Sequence, residues 1–403
     1  MRWGRTRWGR SRWGGVIAIG GDVPGGAAGF PFPLQPGGWK IEIFDAEGIK
    51  EWETGSDVGD SYLNQLQFSL EDIGCGAFSA TFLRPIPLSN LTNRRLDIKL
   101  FGMDVPCYSG HIDTEPQDGS TEDTYKISGY GYFDKLDLCY VENGNWAAQT
   151  VSYIVDEIVR LTVEPKTDIV YNADKITGGD YVVNSFALVR VKAKKALTDL
   201  AEIQQNMVFG VDERRELFFK PKDTTVNPNA VFWVGKHVSS FIPTVDNSKI
   251  RNKLYVYNGK RQDDKSNFVG TVQDDASIAA LNGEIREDEV TLPTTLDDND
   301  ALRWANYRLS QLATPIIKGK LQNISLPVGT ILKPEGLARV HTKTGKYYDL
   351  PLQRVTYKIS GNDKLDIAVE LGEKDLGGND RIVEMLRNMK INELLSAANM
   401  RQI

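Results

Sequence analysis

A serine nucleophile with its base, two carboxylates in unlike surroundings, or thiols and imidazoles at metal-ligand spacing would each betray chemistry in a new sequence. This chain of 403 residues holds fragments of such patterns and completes none. It has no Gly-x-Ser-x-Gly elbow. Gly74-Cys75-Gly76 sets a thiol between two flexible residues, but no histidine stands near it in sequence to serve as a base. Cys75, Cys107 and Cys139 are odd in number and not closely paired, so small buried hydrophobes are expected. His111, His237 and His341 lie far apart with no His-Glu-x-x-His spacing, and each is expected at a sheet surface or edge. The acid pairs Glu287/Glu289 and Asp297/Asp298 sit in polar stretches and read as solvated faces. Gly129-Tyr130-Gly131-Tyr132 falls inside a strand pattern with no helix start after it, which a phosphate loop would need. No catalytic residue, metal ligand or cofactor site is expected.

The elements that would carry any site are mostly strands. Apolar and polar residues alternate at 40–44, 63–70, 77–82, 96–101, 106–112 and 124–132, with turn residues about every ten positions. Alternation returns at 250–257 and runs densely through 318–375, where strands at 321–326, 337–341, 350–359 and 365–371 are separated by Gly-, Pro- and Asn-containing turns. Between them, Val151, Ile154, Val155, Ile158 and Leu161 share one face of a helix expected over 147–161. A second helix, over 193–205, leads into a hairpin at 207–221, and residues 224–229 read as a connector. A third helix, over 299–313, is capped by Asp298-Asn299-Asp300 and carries Leu302, Ala305, Leu309 and Leu312 on one face.

Composition narrows the partners. A hydrophobic content of 41% is enough for sizeable cores in a chain of this length, so two to four domains are expected. A formal charge of −6 excludes phosphate binding through the surface as a whole. No apolar run approaches the roughly 20 residues of a membrane span. Val16-Ile17-Ala18-Ile19 is too short for the apolar core of a signal peptide, so no membrane anchor or standard export is expected.

The two ends differ from the rest. Three copies of an Arg-Trp-Gly pentad supply Arg2, Trp3, Arg5, Arg7, Trp8, Arg10, Arg12 and Trp13, followed by a Gly- and Pro-rich run to residue 38. A flexible arm is expected, whose interleaved cations and indoles suit a partner protein, a membrane interface or stacked bases. At the other end Ile382, Met385, Leu386 and Met389 form the stripe of an amphipathic helix that packs on its own chain or docks on a partner. One string occurs twice: Tyr125-Lys126-Ile127-Ser128-Gly129 and Tyr357-Lys358-Ile359-Ser360-Gly361.

Ile250-Arg251-Asn252-Lys253-Leu254-Tyr255-Val256-Tyr257-Asn258-Gly259 resembles a characteristic strand of bacteriophage tail hub proteins. Asp275-Ala276-Ser277-Ile278 with Asn282-Gly283-Glu284-Ile285-Arg286-Glu287 resembles the segment that follows it there. Upstream, Ala196-Leu197-Thr198-Asp199-Leu200-Ala201 and the hairpin at 209–219 resemble that family's helix-and-hairpin unit, and the helix over 301–312 comes in the expected order. The likeness spans about 39–373; the arm and the last helix have no counterpart in it.

The resemblance implies a baseplate or tail-tip hub, similar to the central hub of contractile tails and the base of type VI spikes. The implied fold is α+β and mostly β, with two related antiparallel β-barrel domains, inserted α+β domains and a C-terminal helix. Its divisions would be an arm at 1–38, a first barrel at 39–145, an inserted unit at 146–235, a second barrel at 236–375 containing helix 299–313, and the helical end at 376–403. The implied role is a homotrimer in the virion, assembled in the host cytoplasm. It would join a hexameric tail tube or distal tail protein to a threefold spike, fibre or other baseplate protein. The tape measure protein and, in passage only, DNA would contact its channel. Two alternatives stay open: a tail-associated peptidoglycan hydrolase, and a nucleic-acid binder acting through the arm.

Overall fold

The computed structural model describes residues 32–33, 38–56, 62–116, 124–258, 267–292, 295–324, 326, 329–360 and 364–372. The arm residues Arg2 to Trp13 and the stripe Ile382, Met385, Leu386 and Met389 lie outside the described residues.

The first part of the chain is a run of strands: β1 (Phe32–Pro33), β2 (Trp39–Phe44), β3 (Lys50–Gly55), β4 (Leu63–Glu71), β5 (Gly74–Phe82), β6 (Arg95–Leu100), β7 (Tyr108–Thr114) and β8 (Tyr125–Gly131). A short 3-10 turn, Tyr132–Asp137, leads into β9 (Tyr140–Thr150), α1 (Val151–Ile158), β10 (Val182–Lys192) and α2 (Ala193–Gln204). Then come β11 (Met207–Val211), β12 (Leu217–Pro221), β13 (Val226–Trp233) and β14 (Thr244–Asp246). Next are β15 (Lys253–Asn258), β16 (Phe268–Gln273), α3 (Asp275–Ala280), β17 (Glu287–Leu292), β18 (Thr295–Leu296) and α4 (Asp298–Leu312). The chain ends, as described, with β19 (Ile316–Leu321), β20 (Leu337–His341), β21 (Tyr347–Ser360) and β22 (Lys364–Gly372).

Strands from the two ends of the chain join in one large sheet, in the order β14-β19-β22-β21-β4-β5-β8-β7-β6-β2-β3. The link between the halves is β21 lying antiparallel on β4. Alternation places Ile41, Ile43, Leu66, Phe68, Ile98 and Ile127 on the same buried face as Val355, Tyr357, Ile359 and Ile367, and they form a single core. Each fully buried aliphatic chain there contributes about 1.5–3 kcal/mol relative to exposure.

The Tyr-Lys-Ile-Ser part of both copies lies in this sheet, flanking the β4–β5 pair. Ile127 sits opposite Ala80, Ala80 opposite Leu66, and Leu66 opposite Ile359. Tyr125 faces Phe82 and Tyr357 faces Phe68. Three successive antiparallel pairings leave β8 and β21 running in opposite directions, as an approximate local two-fold axis through the Leu66–Ala80 pair requires. Both described copies are therefore features of one sheet.

A second core gathers α1, α2 and the β9–β10 pair with Leu254, Val256, Val272, Ala301, Trp304, Ala305 and Leu309. The stretch from β15 to α4 thus packs with the inserted unit, across the division expected at 235/236. Buried Asp300 is the pin. It accepts hydrogen bonds from the Tyr181 hydroxyl (2.7 Å) and the Asn184 amide (3.1 Å), both more than a hundred residues upstream.

Several local expectations need correction. Residues 147–150 belong to β9, whose ladder with β10 claims them, and α1 begins only after Thr150, whose hydroxyl accepts from the Tyr153 amide. Leu161 is exposed rather than part of the buried stripe. Residues 226–229 form the start of β13, a strand paired with β20, instead of a connector. The cap of α4 is Asp297, which accepts from the Asn299 amide at 2.9 Å and frees Asp300 for its buried role. A 3-10 turn does follow Gly131, but its start has no side-chain cap. Gly129 and Gly131 are glycines for packing reasons: a Cβ would collide with the His111 and Cys75 carbonyl oxygens of the neighbouring strands.

Candidate assembly surfaces and the junction groove

The three cysteines are placed in unreactive surroundings. Cys75, Cys107 and Cys139 are buried, as the sequence suggests, and burial pushes the Cys75 thiol up to about 12 and the other two upward as well. A thiol held that high supplies no thiolate nucleophile near neutral pH. Glu287 is held by Lys253 Nζ at 2.7 Å and the Tyr255 hydroxyl at 2.9 Å, which keep its carboxyl below the usual range. Glu287 and its neighbour Glu289 form a solvent-facing edge.

The histidines depart from expectation. His111 and His237 are 2% and 1% exposed, well inside the fold rather than at a surface or edge. His341 is half-buried on β20 and stacks on Trp233 with ring centres 4.5 Å apart and planes at 7°. Period-two alternation gave no warning, because the stretch of β7 that carries Ser109 and His111 is polar and yet covered, with only Asp113 at its end exposed.

That covered polar face is a network. Buried Glu42 draws in Lys99 (2.8 Å), Lys50 (3.4 Å) and Lys40 (3.9 Å). Ser109 donates to Asp97 at 2.6 Å, and burial raises the Asp97 carboxyl above its ordinary range. His111 Nε2 stands 3.2 Å from Asp113 Oδ1 and 3.3 Å from Asp134 Oδ2. Tyr132 covers the His111 ring at 5.7 Å between centres, and Arg215 from the inserted unit lies over Tyr132 at 5.8 Å. The network therefore lies on the seam where the sheet meets the inserted unit.

On that seam opens a groove of about 760 Å³. Its wall from the sheet includes Leu70, Ile73 and Leu352, and its wall from the inserted unit includes Phe133, Met207 and Phe209. Lys333–Glu213 (2.7 Å) and Lys220–Glu335 (2.8 Å) bridge its rim. Such exposed pairs contribute at most about 1 kcal/mol each. The stronger tie is a backbone bond from the Val211 amide to the Ile73 carbonyl (3.0 Å), where β11 meets β5. Mixed charge around an apolar floor suits a protein contact.

Two more surfaces bear on assembly. The sheet path ends in β3 on one side and β14 on the other, strands with one unpaired edge along that path. Val245 on β14 and nearby Ile242 are 55% and 81% exposed. β1 lies against the start of β22, where Phe32 pairs with Leu365 and Pro33 with Lys364. Among the described residues no helix is long and apolar enough to cross a membrane.

No protein-family model matches the chain, and neither does any curated protein sequence. Solved structures do share its fold. It is similar to the tail protein from Neisseria meningitidis MC58 with a TM-score of 0.60 and 12% identity, over 84% of this chain and 98% of that one. The 43 kDa tail protein of prophage MuSo2 from Shewanella oneidensis gives 0.58 and 12% over 82% and 98%. Prophage tail protein gp18 from Listeria monocytogenes EGD-e gives 0.54 and 11% over 87% and 99%. The chain is a mostly β protein with the fold of these tail proteins, in keeping with its resemblance to tail hubs.

Proposed function

We propose that a chain with this fold is a structural protein of a phage-type tail, acting as a trimeric hub at the baseplate or tail tip. The observation that carries the reading is the near end-to-end coverage of three tail proteins, 98% or more of each, at TM-scores of 0.54 to 0.60. A matched module would leave most of a larger partner uncovered; here the whole architecture is shared.

In this reading the strands before β9 and those after α4 count as two units within the one sheet, so three chains present six to a hexameric tail tube and three to a spike or fibre assembly. The unpaired edges of β3 and β14 support contact between neighbouring chains, and the charge-rimmed groove supports docking of another baseplate protein. In the same reading the Arg-Trp residues Arg2 to Trp13 and the stripe Ile382, Met385, Leu386 and Met389 are contacts for tail partners. An assembly role of this kind rests on buried area and shape, not on catalytic residues.

Native mass measurement and electron microscopy of the purified chain test it. A closed ring of three copies is expected, with density of the same shape at the tail tip of particles. A chain that stays monomeric at all concentrations and is missing from purified tails overturns the assignment.

A further inference from the structure

We propose that His111, Asp113 and Asp134 bind one divalent metal ion of the zinc class, clipping the sheet to the turn that leads into the inserted unit. His111 and Asp113 are two residues apart on β7, so they project from the same face, and Asp134 comes from the 3-10 turn Tyr132–Asp137. Their ligand atoms all lie within 4.8 Å of one another.

Three observations converge on a metal. The first is distance. Bonds of about 2.0–2.1 Å in a tetrahedral site put neighbouring ligand atoms about 3.3 Å apart. The two separations from His111 Nε2 are 3.2 and 3.3 Å. The second is hydrogen-bond arithmetic. A neutral imidazole has a single N–H, yet two carboxylate oxygens converge on the same ring nitrogen, and one of those approaches is left without a donor. A cation between them satisfies both. The third is burial: His111 is 2% exposed, and the second oxygen of Asp134, Oδ1, finds no hydrogen-bond partner.

The surroundings permit the ion. Arg95, opposite His111 on β6, turns its guanidinium onto the Phe44 ring at 3.8 Å and towards Asp97 at 3.5 Å. Asp113 and Asp134 keep side-chain exposures of 35% and 41%, which leaves them free to rotate and opens the fourth position to water. One imidazole with two carboxylates favours zinc or a similar borderline ion over magnesium or calcium, which prefer all-oxygen shells. Three protein ligands and an open position would give a seam whose rigidity depends on the metal.

The test uses the full, tag-free chain after EDTA treatment. Zinc titrated by calorimetry should bind once per chain and raise Tm, and cobalt(II) should give the visible absorption of a tetrahedral site. Asp134→Asn and Asp113→Asn, near-isosteric changes at a half-buried and an exposed position, should each weaken binding by about 100-fold and abolish the metal-dependent Tm gain. His111→Gln should do the same if it folds. No saturable uptake of zinc or cobalt overturns the proposal. Uptake unchanged by both aspartate substitutions overturns it equally, placing the ion elsewhere.

Discussion

Tyr-Lys-Ile-Ser stands twice in one sheet, in β8 and in β21, and the two copies meet different fates. Their pairing is equivalent: each tyrosine faces a phenylalanine across the ladder, and each isoleucine lies in the same four-residue row. Ile127 and Ile359 are both fully buried, and Lys126 and Lys358 are both exposed. The tyrosines part company. Tyr357 is sealed in the core, stacked on Phe68 with planes at 11°, and its hydroxyl bonds both the amide (2.8 Å) and the carbonyl (3.0 Å) of Leu332. Burial drives its phenol far above the ordinary range. Tyr125 is half-buried at the margin of the same core. The strand and its register follow from the local string. The burial of its first residue is decided by a distant segment, the one around Leu332 that folds over one copy.

That contrast can be broken by substitution. The largest expected effect is Tyr357→Ala, a loss of about 4 kcal/mol in urea unfolding, against about 1 kcal/mol for Tyr125→Ala. Equal losses would mean that the covering segment adds nothing. Ile127→Ala and Ile359→Ala should each cost about 3 kcal/mol and match one another, because both leave a cavity in one shared row. A gap of more than about 2 kcal/mol between them would argue against the local two-fold relation. Removing only the hydroxyl should sharpen the difference: Tyr357→Phe strands the Leu332 backbone groups and costs about 2 kcal/mol. Tyr125→Phe should cost less than half of that. The smallest effects belong to Lys126→Ala and Lys358→Ala, both within about 0.5 kcal/mol of the parent as exposed strand positions. A measurable loss at only one of them would reveal a contact that chain makes with a neighbour.

Where the sequence was readable, one-dimensional periodicity was enough. The strands at 40–44, 63–70 and 365–371, helix α2 and the hairpin β11–β12 all emerge near their predicted positions, since each needs only a local pattern and a turn. The buried cysteines follow from residue type alone. The misreadings share a different cause. Residues 147–150 carry an apolar spacing that fits a helix, but the ladder with β10, a partner more than thirty residues on, captures them as strand. Asp300 looks like one acid of a capping run, and only the arrival of Tyr181 and Asn184 turns it into a buried pin. His111 and Asp113 are two residues apart and so share a face; Asp134, twenty-three positions from His111, joins them through the β7–β8 pairing and the turn beyond it. A faint signal was present in the His-x-Asp pair, but nothing local says that a polar face will be covered.

By itself the sequence determined the strand-rich class, the order of its hub-like segments, the absence of a strong catalytic motif and the special character of both ends. These depend on composition, alternation and short-range spacing, which are fixed before the chain folds. The tertiary structure decided which strands share a sheet, that β15 to α4 packs with the inserted unit, and which polar residues meet on the seam. Pairings between residues hundreds of positions apart depend on loop closure and on the summed burial of whole faces. No single segment carries that information, so the two copies of one string run antiparallel and one tyrosine alone is sealed.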